Sequence, residues 1–473
     1  MNEAIGLNMQ SSWSTGADWL SAELRRVGEA VPRRDSYAGV DEINARLVAV
    51  ASRHPQVARL RKVGNSRDGE ALLCLEIEGG EEKRALVTGG PHPNEPVGGL
   101  TAVHLAETLC ADEELRSSLA HSWHIVGCID PDGARLNQGW LMRPYDRLHY
   151  ARHFYRPAFI DQVEWTFPLR HKALHFDAAL PETQAWMRLI DELRPTLLAS
   201  LHNAEASGVF YHLSRPLPNL YPLLDDVPSW WGLALDAGVP EEPGAPLYAP
   251  GVFGRWDAAD VYDHEEQLGL DAATWPAGDS SSAYAQHHGT TTLVVEVPCW
   301  SDARFSNTSP SGLQYPDVAR TSDKAADAAL NYLSDVLSIT HDYLDTSSPY
   351  YRACTEALAT HAPASPQGTY EGEPCEDHVA TVAEAASLRE SVHLLRLRYG
   401  GMLLRLLDSQ THRSPLPSEA ARAHKELAER FAPWGHHAMA ETPAPVPVQH
   451  TVATQASAVL AAAWAIANRD KLE

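Results

Sequence analysis

Between residues 40 and 300, short apolar segments alternate with segments of helical periodicity, and this alternation restricts the fold more than any other feature of the chain. The short segments have the length and apolar character of buried strands; they read RALVTGG, WHIVGCI, TLLASL and TTTLVVEV. The longer segments repeat their apolar residues at helical spacing, as in AWMRLIDELR. The alternation predicts an α/β fold, with a mixed, mainly parallel, twisted sheet flanked by helices.

The sequence changes character on both sides of this region. Residues 1–38 hold a short amphipathic stretch, which predicts an N-terminal arm. Ala- and Leu-rich segments with helical spacing follow Pro310, at 318–345, 379–409, 418–432 and 450–470. The chain is therefore divided into an arm (1–38), an α/β domain (39–312) and a C-terminal helical region (313–473). We expect the helical region to stabilise the protein or to build a homo-oligomer, without a part in its chemistry.

The charge balance argues against several kinds of partner. The chain has 38 Lys and Arg residues against 62 Asp and Glu residues, for a net charge of −24. Such a field repels nucleic acids and anionic membrane surfaces, so neither is an expected partner. The six cysteines are scattered without a C-x-x-C pair, which indicates neither a disulfide framework nor a thiolate zinc site. The first residues lack the basic start and apolar core of a secretory signal, and we expect a soluble cytoplasmic protein.

His92 and Glu95 lie three residues apart in the loop GGPHPNEPVGG, which joins a predicted strand to a predicted helix. His202 ends another predicted strand. Because ligands of open α/β sheets gather at the carboxyl ends of the strands, we expect the three side chains to meet at one edge. Two imidazoles and one carboxylate leave a fourth position for water, which is the ligand set of a catalytic zinc site. The sequence therefore predicts one Zn²⁺ per chain.

These segments resemble the motifs of the carboxypeptidase A/B-like zinc metallocarboxypeptidases. PHPNEPVG is similar to that family's H-x-x-E zinc motif, and SLH would supply the third ligand. DPDGARLN resembles the N-P-D-G…R-x-N segment, and TTTLVVEVP resembles the strand with the essential glutamate. The resemblance covers about residues 38–300. It implies that residues 39–312 are the catalytic domain of a zinc hydrolase that removes the C-terminal residue of a peptide or peptide-like substrate.

The resemblance also implies roles for residues that do not bind zinc. Glu296 would be the general base, and Arg135 would polarise the scissile carbonyl. The chemistry supports Glu296 separately, because a carboxylate buried in an apolar strand is costly unless it has a task or a partner. Beside a zinc site, such a carboxylate can take a proton from water and pass it to a leaving amine.

Four further residues are implied to bind the substrate. Asn137 belongs to the same R-x-N motif as Arg135, and Arg143 would hold the terminal carboxylate of the substrate. Tyr284 matches a fixed aromatic residue of the family, and Ser280 lies where side-chain preference is usually set. The chain departs from the family at Met142, which occupies the position of an asparagine in the carboxylate anchor.

Two other functions remain open at this point. Because the anchor is atypical, the same metal centre could belong to an amidase or deacylase that acts on a small N-acyl amino acid. A non-catalytic peptide-binding protein with this fold is the second alternative. Its weakness is that Glu296 and all three predicted ligands are present, whereas a decayed site usually loses at least one of them.

Overall fold

A mixed sheet of nine strands lies at the centre of the computed structural model. The structure describes residues 18–80, 82–143, 145–241, 244–270, 272, 275–360, 377–441 and 443–469. The strands, in chain order, are β1 (Ala58–Asn65), β2 (Ala71–Ile77), β3 (Lys83–Gly89), β4 (His121–Val126), β5 (Leu169–His171), β6 (Leu174–Phe176), β7 (Leu197–His202), β8 (Phe210–Leu213), β9 (Leu247–Ala249), β10 (Val252–Gly254), β11 (Thr291–Glu296), β12 (Trp300–Ser301), β13 (Pro310–Gln314), β14 (Val379–Thr381) and β15 (Ala444–Pro445). The main sheet has the order β1-β2-β4-β3-β7-β11-β8-β10-β9, and the short strands pair as β5–β6, β12–β15 and β13–β14.

Helices cover both faces of this sheet and make up most of the C-terminal region. In chain order they are α1 (18–29), α2 (Val40–Arg53), α3 (Val97–Ala111), α4 (Glu113–Leu119), α5 (Pro131–Leu141), α6 (Arg147–His153), α7 (Pro181–Leu193), α8 (Tyr221–Trp230), α9 (Ala258–Gln267), α10 (Ser281–Gln286), α11 (Tyr315–Thr340), α12 (Pro349–Thr360), α13 (Val382–Arg413), α14 (Ser418–Ala440) and α15 (Val448–Ala467). The predicted C-terminal helices are present, although their bounds differ by several residues from the periodic segments.

The four central strands, β4, β3, β7 and β11, run parallel to one another. At both sides of this centre the first flanking pairs are antiparallel, as β2–β4 and β11–β8 are, whereas β8 and β10 further out are parallel. Every residue of β7 and β11 is buried, because helices cover both faces of the sheet at its centre. The predicted fold class, a mixed α/β sheet with a parallel centre and flanking helices, is therefore confirmed.

The strand register brings the predicted ligand segments to one edge of the sheet. Gly89, the last residue of β3, is the register partner of Leu201 in β7. His202, the last residue of β7, is the register partner of Glu296, the last residue of β11. Three neighbouring parallel strands thus end at the same level, and the loops that follow them are neighbours in space.

The helix α15 lies in the core of the α/β domain. It is buried along most of its length and packs against α3, β7 and β11. Gln455 on this helix donates from Nε2 to the carbonyl oxygens of His202, at 2.7 Å, and Val295, at 3.2 Å. Its Oε1 accepts a hydrogen bond of 2.7 Å from the Thr101 hydroxyl of α3. The C-terminal region therefore completes the hydrophobic core beneath the strands that end in His202 and Glu296.

The N-terminal helix α1 belongs to the same core, since Leu20, Leu24 and Val27 are buried within it. Residues 1–17 of the predicted arm lie outside the described residues. The proposed boundaries near residues 38 and 312 thus follow changes in sequence character, whereas the packing is continuous across both.

Among the described helices, none combines the length and the hydropathy needed to cross a bilayer. The cytoplasmic location stays a prediction.

Candidate metal centre

The loop between β3 and α3 is held in a shape that turns His92 and Glu95 towards β7. Gly90 adopts a left-handed conformation, with φ of 64°, which favours glycine at this position. Gly98, in the first turn of α3, lies so close to β7 that an added Cβ would stand 2.8 Å from the carbonyl oxygen of Leu201. Because Gly98 has no side chain, α3 can lie close to the end of β7. Both His92 and Glu95 are buried.

His92, Glu95 and His202 form a cluster in which one potential ligand atom of each lies within 4.8 Å of the others. The Nδ1 of His202 is 3.1 Å from the Oε2 of Glu95, and the imidazole rings of His92 and His202 have centroids 4.9 Å apart. The Nδ1 of His92 is buried and has no hydrogen-bond partner in the described part of the chain. A buried nitrogen without a partner, next to a carboxylate and a second imidazole, is a donor set that fits a Zn²⁺ ion.

Both imidazoles are held in the form that a metal requires. The Nε2 of His202 lies 2.9 Å from the Ser200 hydroxyl, so a proton on Nε2 can be donated there while Nδ1 keeps its lone pair. Burial holds the pKa of His92 well below its usual range, and the positive charges of Arg156, Arg255 and Arg398 lower it further. His92 is therefore neutral at physiological pH, which is the state in which histidine binds metals.

Glu95 is oriented by contacts to both of its carboxylate oxygens. Arg156 donates from Nη1 to Oε1 at 2.9 Å and to the Asn94 side chain at 3.2 Å. The backbone amide of Asn203, directly after His202, donates to Oε2 at 3.2 Å. The side chain of Asn203 also accepts from the amide of Val97, which ties the end of β7 to the start of α3. These contacts fix the two halves of the cluster relative to each other.

Glu296 stands beside the cluster and does not belong to it. Its Oε1 lies 3.6 Å from the Nδ1 of His202. Burial, followed by the negative charges of Glu241 and Glu95, raises the pKa of Glu296 well above its usual range. Glu241 comes from the segment after α8, and its carboxylate is also 3.8 Å from His212 of β8. A buried carboxyl group beside other carboxylates holds its proton more tightly than an exposed one.

Three arginines around the cluster were not identified from the sequence. Arg156 contacts Glu95 directly. Arg255 lies over the ring of Trp165, at 5.1 Å, and this ring stacks with His92 at a centroid distance of 6.5 Å. Arg398 comes from α13, far along the chain. No spacing in the sequence links these residues to the zinc motif, and Arg156 is one of several arginines between residues 143 and 156.

Two of the residues proposed to act on the substrate make their contacts elsewhere. Arg135 forms ion pairs with Asp41, at 2.8 Å, and with Glu70, at 2.5 Å, and about a third of its side chain is exposed. The Asn137 side chain donates to the carbonyl oxygens of Gly133 and Tyr155 and is fully occupied within the fold. Their roles towards a substrate stay predictions, and both are accounted for by structural contacts.

The remaining three predicted substrate residues also lie outside the cluster. Arg143 is exposed in the turn after α5. The Tyr284 hydroxyl donates to Asp191 of α7 at 2.9 Å. Ser280 caps α10 and accepts a hydrogen bond from Ala283. The roles of these three residues stay predictions as well.

The residue after Ser280 points to a buried acidic group near the centre. Ser281 donates from its hydroxyl to Oε1 of Glu164, at 2.9 Å, and Glu164 is buried. Burial raises the pKa of Glu164, while the positive charge of Arg255 acts in the opposite direction. Glu164 directly precedes Trp165, whose ring stacks with His92, so the start of α10 lies close to the metal centre.

Comparison with known proteins confirms the resemblance that the sequence predicted. Residues 43–220, which include His92, Glu95 and His202, match the family described as zinc carboxypeptidase. The chain is 28% identical to carboxypeptidase B of Astacus astacus over 102 residues. This aligned segment covers 21% of this chain and 34% of that protein. The chain is 29% identical to carboxypeptidase E of Caenorhabditis elegans over 115 residues. This aligned segment covers 22% of this chain and 24% of that protein.

Among solved structures, carboxypeptidase A from Helicoverpa armigera is similar at 14% identity and a TM-score of 0.38, over 61% of this chain and 73% of that one. The chain thus spans about a third of the length of the Astacus carboxypeptidase and about a quarter of the length of the Caenorhabditis carboxypeptidase. The family match ends at residue 220, before Glu296 and before the C-terminal helices.

Proposed function

We propose that the protein is a zinc-dependent metallocarboxypeptidase that hydrolyses the C-terminal amide bond of a peptide or peptide-like substrate. The observation that supports this most directly is the cluster of His92, Glu95 and His202 with Glu296 beside it. The match of residues 43–220 to the zinc carboxypeptidase family supports the same function. One zinc ion per chain is held by His92, Glu95 and His202.

The bound zinc supplies Lewis acidity, which lowers the pKa of water and polarises a carbonyl oxygen. The chain's own part in the chemistry falls to Glu296. Its carboxylate takes a proton from the attacking water and gives that proton to the departing amine nitrogen. The raised pKa of Glu296 suits the first transfer, because a carboxylate that binds its proton more tightly takes a proton from water more readily.

The substrate terminus is bound by arginines that the tertiary structure brings to the centre. A free C-terminal carboxylate calls for a guanidinium close to the reacting bond, since charge-assisted pairs fix position as well as add affinity. Arg156 is beside Glu95, and Arg255 lies over Trp165, which stacks with His92. We assign the terminal carboxylate to these two residues in preference to Arg143, which is exposed in the turn after α5.

A substrate panel tests the proposal. The purified protein is loaded with zinc and assayed with short peptides that have free C-termini, with amidated copies of the same peptides, and with N-acyl amino acids. Cleavage restricted to the free-terminus peptides, and lost on chelation, supports the carboxypeptidase. Preference for the N-acyl amino acids would identify a deacylase instead. Peptide binding without hydrolysis in any series would identify a non-catalytic binding protein.

A further inference from the structure

The C-terminal helix α13 reaches the segment that follows the ligand His202. Arg398 of this helix donates from Nε to Oε1 of Glu205 at 2.6 Å. Glu205 lies three residues after His202, is buried, and also accepts a hydrogen bond from the Tyr150 hydroxyl of α6. Arg398 is outside residues 43–220, which match the zinc carboxypeptidase family. It is therefore a contribution of this chain's own C-terminal region.

Arg398 also lies against the segment that delivers Arg156. Its guanidinium stands over the ring of Phe154, at 5.7 Å from the centroid, and Phe154 precedes Arg156 by two residues. Arg398 thus sits between the segments that carry His202 and Arg156.

Part of the Arg398 guanidinium remains available. Glu205 engages Nε, and the described residues provide no hydrogen bond to either terminal nitrogen. About a third of the side chain, 33%, is exposed. A guanidinium presents paired N–H groups that match the two oxygens of a carboxylate, which makes arginine suited to bind that group in a defined orientation.

We propose that Arg398 binds a second carboxylate of the substrate, so that the preferred substrates end in glutamate or aspartate. This inference rests on the proposed carboxypeptidase function and specifies its substrate class. Arg156 and Arg255 are assigned to the terminal carboxylate, and Arg398 lies against the segments that carry His202 and Arg156. The net charge of −24 provides no long-range attraction for an acidic substrate, so the preference arises from local contacts.

The test compares the wild type and three variants on two matched peptides. The peptides are identical except for a C-terminal Glu or Gln, which have the same shape and differ in charge. Arg398→Gln removes the charge but can still donate to Glu205, and Arg398→Lys keeps the charge without the paired N–H groups. Arg152→Gln is the control, because Arg152 joins α6 to Asp408 of α13 at 2.7 Å without contacting the metal centre.

In the wild type we expect kcat/KM to favour the Glu-terminated peptide by about tenfold or more, which is typical of one charge-assisted contact. Arg398→Gln should abolish this preference, mainly through KM for the Glu peptide, and Arg398→Lys should retain part of it. The control should keep the wild-type ratio. A wild type without preference, or an Arg398→Gln variant that loses activity equally on both peptides, would overturn the proposal.

A binding measurement separates this inference from the proposed function. Calorimetric titration of the zinc-loaded protein with N-acetylglutamate and with N-acetylglutamine needs no hydrolysis. Preferential binding of N-acetylglutamate that depends on Arg398, in a protein that cleaves no peptide, would keep the anion site and reject the carboxypeptidase. Equal affinity for both compounds, or no binding of either, would reject the anion site whatever the protein hydrolyses.

Discussion

Glu296 and His202 are register partners on the adjacent parallel strands β11 and β7, and the Oε1 of Glu296 lies 3.6 Å from the Nδ1 of His202. Equivalent residues of neighbouring parallel strands project to the same side of a sheet, so their side chains share one site. A proposed ligand and the proposed base are thus set side by side by backbone pairing. Their separation does not depend on a flexible loop.

The first prediction concerns Glu296. Glu296→Gln keeps the shape of the side chain but cannot accept a proton, so turnover should fall by about 10²- to 10⁴-fold. Zinc content should be unchanged, because Glu296 is not a proposed ligand. Steady-state assays and metal analysis of the same preparation measure both quantities. Glu192→Gln, a change at an exposed carboxylate of α7, is the control. Unaltered turnover in Glu296→Gln with zinc bound would remove Glu296 from the mechanism.

The second prediction concerns the metal. The purified wild type should contain one zinc ion per chain, and His92→Ala or His202→Ala should lower the affinity by more than the 10- to 100-fold typical of groups that only orient a ligand. Metal analysis after dialysis measures the loss. His149→Ala changes a histidine that hydrogen-bonds to the carbonyl of Gly139 and should retain zinc fully. Stoichiometric zinc in both ligand variants would refute the assignment.

The third prediction concerns Gln455, whose side chain joins α15 to α3, β7 and β11. Gln455→Ala removes three buried hydrogen bonds and leaves a cavity, so the free energy of unfolding should fall by about 2–4 kcal/mol. Urea unfolding measures the change. Gln267→Ala, at an exposed position at the end of α9, should have little effect. Equal stability of the two variants would show that α15 does not brace the strands.

The fourth prediction extends this to the whole C-terminal region. A chain that ends at residue 312 lacks α15, so the surfaces of α3, β7 and β11 that α15 covers would be exposed. We expect such a chain to aggregate and to contain less than one zinc ion per chain. Size-exclusion chromatography and metal analysis test this. A soluble, monomeric, zinc-binding product would show that the α/β domain folds alone.

The fifth prediction concerns pH and stability. Asp130, directly before α5, is fully buried, and its burial raises its pKa from 3.8 to about 7 despite the nearby Arg67. Because the folded state holds this proton more tightly than the unfolded state, Asp130 destabilises the fold increasingly as pH rises from about 4 to 7. The accumulated cost is on the order of 4 kcal/mol above pH 7.

Asp130→Asn removes this charge and can still accept the hydrogen bond from the Gly133 amide. The variant should therefore be more stable than the wild type at pH 8 and about equally stable at pH 4. Denaturant unfolding across this range provides the measurement. Asp112→Asn, at the partly exposed cap of α4, is the matched control. A stability difference that does not change with pH would contradict the buried-charge explanation.

Much of the fold could be predicted because its signals are local. The segments that became β3, β7 and β11 are apolar and short, and the helices that became α7 and α13 repeat apolar residues at helical spacing. The short strands β14 and β15 were not anticipated. They consist of two or three residues paired with distant partners, so their sequences carry no periodicity of their own.

The site could be predicted in part for a similar reason. His92, Glu95 and His202 follow strands, and the rule that strand ends share an edge of the sheet was sufficient to bring them together. Arg156, Arg255 and Arg398 were missed because each reaches the centre through packing. Arg135 shows the converse case, since a family motif suggested a role at the centre while Asp41 and Glu70 engage its guanidinium.

The sequence by itself determined the α/β architecture, the strand-end positions of the metal-binding candidates and the acidic net charge, because these depend on residue type and short-range periodicity. Only the tertiary structure decided which arginines surround the centre and how the C-terminal helices contribute. Arg398 lies 196 positions after His202, yet it contacts Glu205 beside that ligand. Contacts of this kind arise from the packing of α13 and α15 against the sheet, and no local pattern in the chain encodes them.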